Sequence, residues 1–164
     1  MNKAVFLDRD GVINQEIGDY VCKIEDFKFN TGLFTALRLL QEYDYKLIVV
    51  TNQGGIAKGR CTLNEVNELH NFMLEKLLEE GIKIDDVYFC PHHHHIAPCL
   101  CRKPNSMMIE KAIAKHHIDA SQSFLIGDNE RDLLAGEKVG VKGVLIEANT
   151  NIISRVKMDI LNVV

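Results

Sequence analysis

The chain of 164 residues lacks any long apolar run, and with it any segment able to cross a bilayer as a helix. It also lacks a basic stretch followed by an apolar one near residue 1, so a cytoplasmic location is expected. Repeats, low-complexity tracts and linkers are missing, which favours a single domain over residues 1–164. Positive charge is not in excess: 19 Lys and Arg stand against 23 Asp and Glu, for a net charge of -4. A sheath for nucleic acid or an anionic membrane face needs the opposite balance, so neither is expected as a partner. A small phosphorylated metabolite remains, held where the chain is locally basic, and a monomer is expected. Nor is there a disulfide framework. The cysteines number five, and three of them cluster between residues 90 and 101. In a cytoplasmic chain that pattern suggests a metal before disulfides. Cys22 and Cys61 have no neighbour in sequence and read as ordinary thiols.

What is present is an alternation of strand and helix signals. Residues 4–8 read as a buried strand, followed by a mixed loop over 12–30. Leu33, Leu37 and Leu40 recur at helical spacing, with Thr31 as the expected cap. Residues 46–51 (KLIVVT) form a second buried strand. Thr62 with Glu65 makes a capping box, ahead of an apolar face of Val66, Leu69, Met73 and Leu77, and Gly81 ends that helix. Residues 87–90 are a third strand, 107–116 a helix and 123–127 a fourth strand. A helix over 130–139 stops at Gly140, a fifth strand spans 143–147, and Ile153, Val156 and Ile160 mark a terminal helix. The alternation implies an α/β fold with a parallel sheet covered on both faces and right-handed crossovers.

Polar residues gather where these strands end. Asp8 and Asp10, in VFLDRDGVI, follow the first strand. Two carboxylates so close repel, and a hard cation such as Mg²⁺ would settle them and recruit a phosphate. Alone, such a string is more often a solvated turn. Thr51, Asn52 and Gln53 follow the second strand. Arg102, Lys103 and Pro104 follow the cysteine loop. Asp128 follows the fourth strand with Asp132 one turn on, although an aspartate there is about as often a plain helix cap. Four such endings at one sheet edge supply a nucleophile, a cation cage and donors for phosphate oxygens. Cys90, Cys99 and Cys101, with a histidine from the run 92–95, have the donor set of a tetrahedral zinc site.

The motifs DRDG, TN, the lysine of CRKP and GDNERD resemble, in order, the four motifs of the haloacid dehalogenase (HAD) superfamily. FLDRDGVIN, VVTNQGGIAKG, CPH and CLCRKP narrow the likeness. They are similar to the capless branch that holds D-glycero-D-manno-heptose 1,7-bisphosphate phosphatases and histidinol-phosphate phosphatases. The resemblance implies a three-layer Rossmann-like fold with no cap domain and a zinc-bound loop. It implies that Asp8 attacks phosphorus, that Asp10 is the general acid and base, and that Thr51 and Lys103 bind the phosphoryl oxygens. Mg²⁺ would be held by Asp8, Asp128 and the backbone carbonyl of Asp10, with Asp132 supporting its water shell. Zn²⁺ would be held by Cys90, His92, Cys99 and Cys101. Asn52, Arg102 and Lys58, with help from Arg60, would meet the substrate.

Val12 and Asn129 depart from the pattern, where the branch often has threonine and lysine. The loop from Cys90 to Cys99 is short, nearer the histidinol-phosphate type, whereas QGGIAKG resembles the heptose type. The leading expectation is a Mg²⁺-dependent phosphatase for a small sugar bisphosphate, most of all heptose 1,7-bisphosphate. The alternatives are a histidinol-phosphate or other phosphomonoester phosphatase and, from another class, a non-catalytic zinc-stabilised binding module.

Overall fold

A computed structural model describes residues 1–163. The strands are β1 (Lys3–Leu7), β2 (Tyr45–Asn52), β3 (Asp86–Cys90), β4 (Phe124–Gly127) and β5 (Lys142–Leu145). Between them lie the helices α1 (Leu33–Glu42), α2 (Leu63–Glu79), α3 (Met107–His116) and α4 (Glu130–Glu137). All pairings are parallel, in the order β3-β2-β1-β4-β5.

Strand alternation explains the three layers. Val5 and Leu7 of β1 point into one core with Leu47 and Val49, where α1 and α2 supply Leu33, Leu37, Leu40, Leu69, Met73 and Leu77. Ala4 and Phe6 point the other way with Ile48 and Val50, against Met108, Ile109 and Ala112 of α3 and Ala135 of α4. Strands buried on both faces have no polar side to show, hence the continuous apolar runs. From β1 the chain winds outward to β2 and β3, then returns to build β4 and β5 on the far side. The carboxyl ends of β1 and β4 therefore adjoin at the topological switch point, where such sheets bind ligands. Among the described residues no helix is long and apolar enough to cross a membrane.

Several local expectations are revised. The residue before α1 is Gly32, at φ 77, with no side-chain cap, so Thr31 does not cap it. The loop ahead is instead tied by Asn30, whose Nδ2 donates to the carbonyls of Gly11, Val12 and Asn14 at 3.1, 3.0 and 3.3 Å. The fifth strand ends at Leu145 rather than at 147, because Leu145 pairs with Gly127, the last residue of β4. The terminal helix makes a short α segment, α5 (Ile153–Arg155), and continues as a π-helix over Val156–Leu161, still burying Val156 and Ile160.

Cys22 and Cys61 are not ordinary thiols. They form a disulfide across 39 positions of sequence, with Cα atoms 5.5 Å apart. Nothing local announces the pair, since it depends on the loop after β1 folding over the loop after β2. Under non-reducing conditions Cys61→Ser should lower stability by about 2–4 kcal/mol. Thermal unfolding with and without reductant checks this: reductant should erase the difference between variant and parent.

Candidate active site

The ends of β1, β2 and β4 and the segment at 102–103 open on a cleft of about 520 Å³. Its wall includes Asp8, Asp10, Thr51, Asn52, Arg102, Lys103, Asp128 and Arg131, with Tyr20, His93 and His94. Three loops reach it: the one after β1, the one after β2 and the cysteine loop.

Asp8 lies one residue beyond β1 and is 6% exposed. Its Oδ1 accepts the backbone N–H of Arg9 at 2.8 Å and meets the Lys103 ammonium at 2.9 Å. Its Oδ2 has no hydrogen-bond partner among the described residues. Burial pushes this carboxyl up to about 7, with Lys103 pulling the other way. Asp128 is raised as well, by burial and then by the charge of Asp132. Asp8, Asp128 and Asp132 offer oxygens within 4.8 Å of one another. The approach needs Gly11, at φ 88, because a Cβ there would lie 2.3 Å from an oxygen of Asp128. Three converging carboxylates, two of them with raised proton affinity, fit a hard divalent cation. Asp128 is free for it because Asn129 caps α4: the Asn129 side chain accepts from Arg131 N, and Asp132 reciprocates to Asn129 N. The departure at 129 is thus a cap.

Lys103 is fully buried, and its ammonium faces Asp8, Asp132 at 2.8 Å and the Val50 carbonyl at 2.8 Å. It forms ion pairs with the two carboxylates and donates a hydrogen bond to the carbonyl. Burial opposes its charge, but the two carboxylates raise its proton affinity and keep it cationic. Asn52 belongs to this arrangement: its side chain receives the Lys103 N–H at 2.9 Å and donates to the Lys103 carbonyl at 3.1 Å. Expected to meet substrate, Asn52 has its amide committed to the Lys103 backbone.

The residue that sequence reasoning missed most completely is Arg9, fully buried between the two aspartates of the motif. Its guanidinium holds Asp10 Oδ1 at 3.0 Å and Oδ2 at 3.1 Å, the Val21 carbonyl at 3.0 Å, and His70 Nε2 at 3.2 Å. Arginine only donates, so His70 Nε2 is the acceptor. Burial, then the Arg9 charge, pushes His70 down to about 4, so it stays neutral. Asn14 and Gln53 donate to Asp10 at 2.9 and 3.0 Å. Burial alone would raise Asp10, but the Arg9 charge and these bonds outweigh it and hold the carboxyl below its usual range. Gln53 also donates to Thr51 Oγ1 at 2.9 Å, linking Asp10 to Thr51. A polar pattern could have hinted at Gln53; nothing in the sequence marks an arginine as buried.

Of the expected substrate contacts, Arg102 lines the cleft, and its Nη1 donates to the His92 carbonyl at 3.0 Å. Lys58 stands over the ring of Tyr20, 5.5 Å from its centroid, and is not on the wall. Arg60 is not on the wall but pairs at 2.8 Å with Asp19, which is. Arg131, not anticipated, is on the wall instead.

The cysteine loop brings its four candidates together. Cys90 Sγ lies 3.0 Å from Cys101 Sγ and 3.6 Å from Cys99 Sγ, with Cys99 and Cys101 3.9 Å apart. His92 presents Nδ1 at 3.2 Å from Cys101 and 3.6 Å from Cys90. A tetrahedron with Zn–S bonds of about 2.3 Å has sulfurs about 3.8 Å apart, so the donor set fits Zn²⁺. Burial and the neighbouring thiols push Cys90 up. Cys99 lies below the usual thiol value: burial opposes this, but the Arg102 backbone N–H and the other thiols prevail.

Comparison with known proteins agrees with this geometry. Residues 100–155 match a family model described as HAD-hydrolase-like. The chain is 45% identical over 149 residues to the D-glycero-beta-D-manno-heptose-1,7-bisphosphate 7-phosphatase of Helicobacter pylori, covering 88% of this chain and 83% of that one. It is 43% identical over 147 residues to the D-glycero-alpha-D-manno-heptose-1,7-bisphosphate 7-phosphatase of Campylobacter jejuni, covering 90% and 83%. Among solved structures it resembles the D,D-heptose 1,7-bisphosphate phosphatase of B. bronchiseptica complexed with magnesium and phosphate. The TM-score is 0.84 at 28% identity, covering 98% of this chain and 86% of that one. With its strand-end aspartates, buried lysine and cysteine loop on a five-stranded parallel sheet, the chain belongs to the heptose-1,7-bisphosphate 7-phosphatase family of HAD hydrolases.

Proposed function

We propose that this chain, acting as one domain, is a Mg²⁺-dependent phosphatase that removes a phosphate from D-glycero-D-manno-heptose 1,7-bisphosphate by way of an aspartyl-phosphate on Asp8. The observation that carries the reading is the meeting of Asp8, Asp10, Thr51, Lys103 and Asp128 on one cleft. The relatives supply the substrate by their names and divide between the two anomers.

Mg²⁺ held by Asp8, Asp128 and the Asp10 carbonyl would offset the repulsion between nucleophile and phosphate. The free Oδ2 of Asp8 attacks phosphorus. The bond to the sugar oxygen breaks, and that oxygen takes a proton from Asp10. Asp10, again a carboxylate, removes a proton from water, whose oxygen attacks the aspartyl-phosphate. The acyl phosphate bond breaks, Asp8 is restored and inorganic phosphate leaves. Arg9 keeps Asp10 anionic in the free protein; an incoming phosphate raises its proton affinity, so the proton it donates arrives with substrate. Thr51 accepts from Gln53 and keeps its own hydrogen for a phosphoryl oxygen. Lys103 supplies fixed positive charge beside the phosphoryl group. Arg102 and Arg131, cations on the wall, suit the second phosphate. Zn²⁺ held by Cys90, His92, Cys99 and Cys101 would pin the loop that carries Arg102 and Lys103.

The short loop from Cys90 to Cys99 favours histidinol phosphate as the second reading. Turnover of heptose bisphosphate, fructose bisphosphate and histidinol phosphate separates the two. The heptose bisphosphate should be fastest, with Asp8→Asn losing several orders of magnitude in kcat while remaining folded. Faster cleavage of histidinol phosphate would transfer the assignment, and an active Asp8→Asn would remove the mechanism. Gln53→Leu, which breaks the link between Asp10 and Thr51, should lower kcat about 10- to 100-fold without unfolding the protein, as steady-state kinetics and circular dichroism would show. Elemental analysis should find about one Zn²⁺ per chain after purification without chelator, and Cys99→Ser should lower both that content and the melting temperature.

A further inference from the structure

Four consecutive histidines occupy 92–95, and only His92 turns to the thiols. The other three form a group of their own. A ring nitrogen from each of His93, His94 and His95 lies within 4.8 Å of the others. Ring centroids are 4.4 Å apart for His93 and His94, 4.0 Å for His94 and His95, and 5.0 Å for His93 and His95. Consecutive side chains on extended backbone point to opposite faces, so this convergence needs a turn. The turn is present: the His95 N–H donates to His93 Nδ1 at 3.3 Å, and the Ile96 N–H to the His93 carbonyl at 2.9 Å. Accepting at Nδ1 places the ring proton of neutral His93 on Nε2, so a metal ion would take the Nδ1 lone pair in place of this long bond. His93 is held in place, only 6% exposed, against Gly54, where a Cβ would come within 2.8 Å of the ring. His94 and His95 are exposed, and His93 and His94 line the cleft. The phosphoryl chemistry above uses none of the three.

We propose that His93, His94 and His95 form a second metal site at the cleft, for a transition ion such as Zn²⁺, Ni²⁺ or Cu²⁺. Imidazole nitrogens select these ions, whereas Mg²⁺ prefers the carboxylate oxygens of Asp8 and Asp128. Donor chemistry thus separates two cation sites on the wall of one cavity. Three protein donors leave a coordination position for water or a phosphate oxygen. His94 and His95 are exposed, so the ion is exchangeable.

The test uses zinc-replete protein in excess Mg²⁺, titrated calorimetrically with Ni²⁺. One further equivalent should bind while elemental analysis finds the first zinc retained. The double variant His94→Ala/His95→Ala should bind Ni²⁺ about tenfold or more weakly, having lost two of three donors, with its zinc content and melting temperature unchanged. Both side chains are exposed, so the fold survives their removal. With Cu²⁺ the parent should show nitrogen superhyperfine splitting that the variant loses. No uptake beyond the first zinc, or uptake equal in parent and variant, would overturn the proposal. The readout is metal binding, so it stands or falls apart from the choice of phosphate substrate.

Discussion

Everything at the cleft depends on one buried cation. The Lys103 ammonium is buried between Asp8 and Asp132 and donates a hydrogen bond to the carbonyl of Val50 in β2. Without that charge three carboxylates would face one another in a water-poor pocket, and each would be driven to take up a proton. One ammonium cannot balance Asp8, Asp128 and Asp132 together; burial first, and then the charge of Asp132, raises the proton affinities of Asp8 and Asp128. A divalent ion is the natural complement. The site is built around a shortage of positive charge that a bound divalent cation would relieve.

The second support is the opposite case. Asp10 sits two residues from Asp8, yet its environment pulls it below the usual range because Arg9 is buried against it. Neighbouring carboxylates are thus held in different electrostatic settings: one beside Lys103 and free on one oxygen, the other gripped through both oxygens by Arg9, Asn14 and Gln53. A cation bound beside Asp8 would lower its proton affinity and a phosphate beside Asp10 would raise that of Asp10, so the roles proposed above belong to the loaded site. His70, kept neutral, lets Arg9 spend its charge on Asp10.

The cysteine loop joins a cluster of metal-ligand type to this arrangement. Residues 99 and 101 belong to the thiol cluster, 102 and 103 to the cleft, and the clamp from Asn52 fixes the Lys103 backbone. A loop with little regular structure is thereby positioned at both ends, by sulfur on one side and by β2 on the other. The Cys22–Cys61 bridge similarly ties two loops that border the cleft.

The order of the chemistry was readable from one dimension. Strand-end motifs, the continuous apolar runs of β1 and β2, the capping box at Thr62 and the spacing of Cys90, Cys99 and Cys101 are all local, because such patterns act over a few residues. Tertiary structure decided what depends on distant parts meeting. It buried Arg9 and gave it His70, tied Asn52 on the cleft wall to the Lys103 backbone, and paired Arg60 with Asp19 while bringing Arg131 to the wall. It paired Cys22 with Cys61 and curled His93 to His95 together. Burial and charge pairing are properties of the folded surroundings, so a residue's type announces its chemistry while only the packed chain assigns its partner.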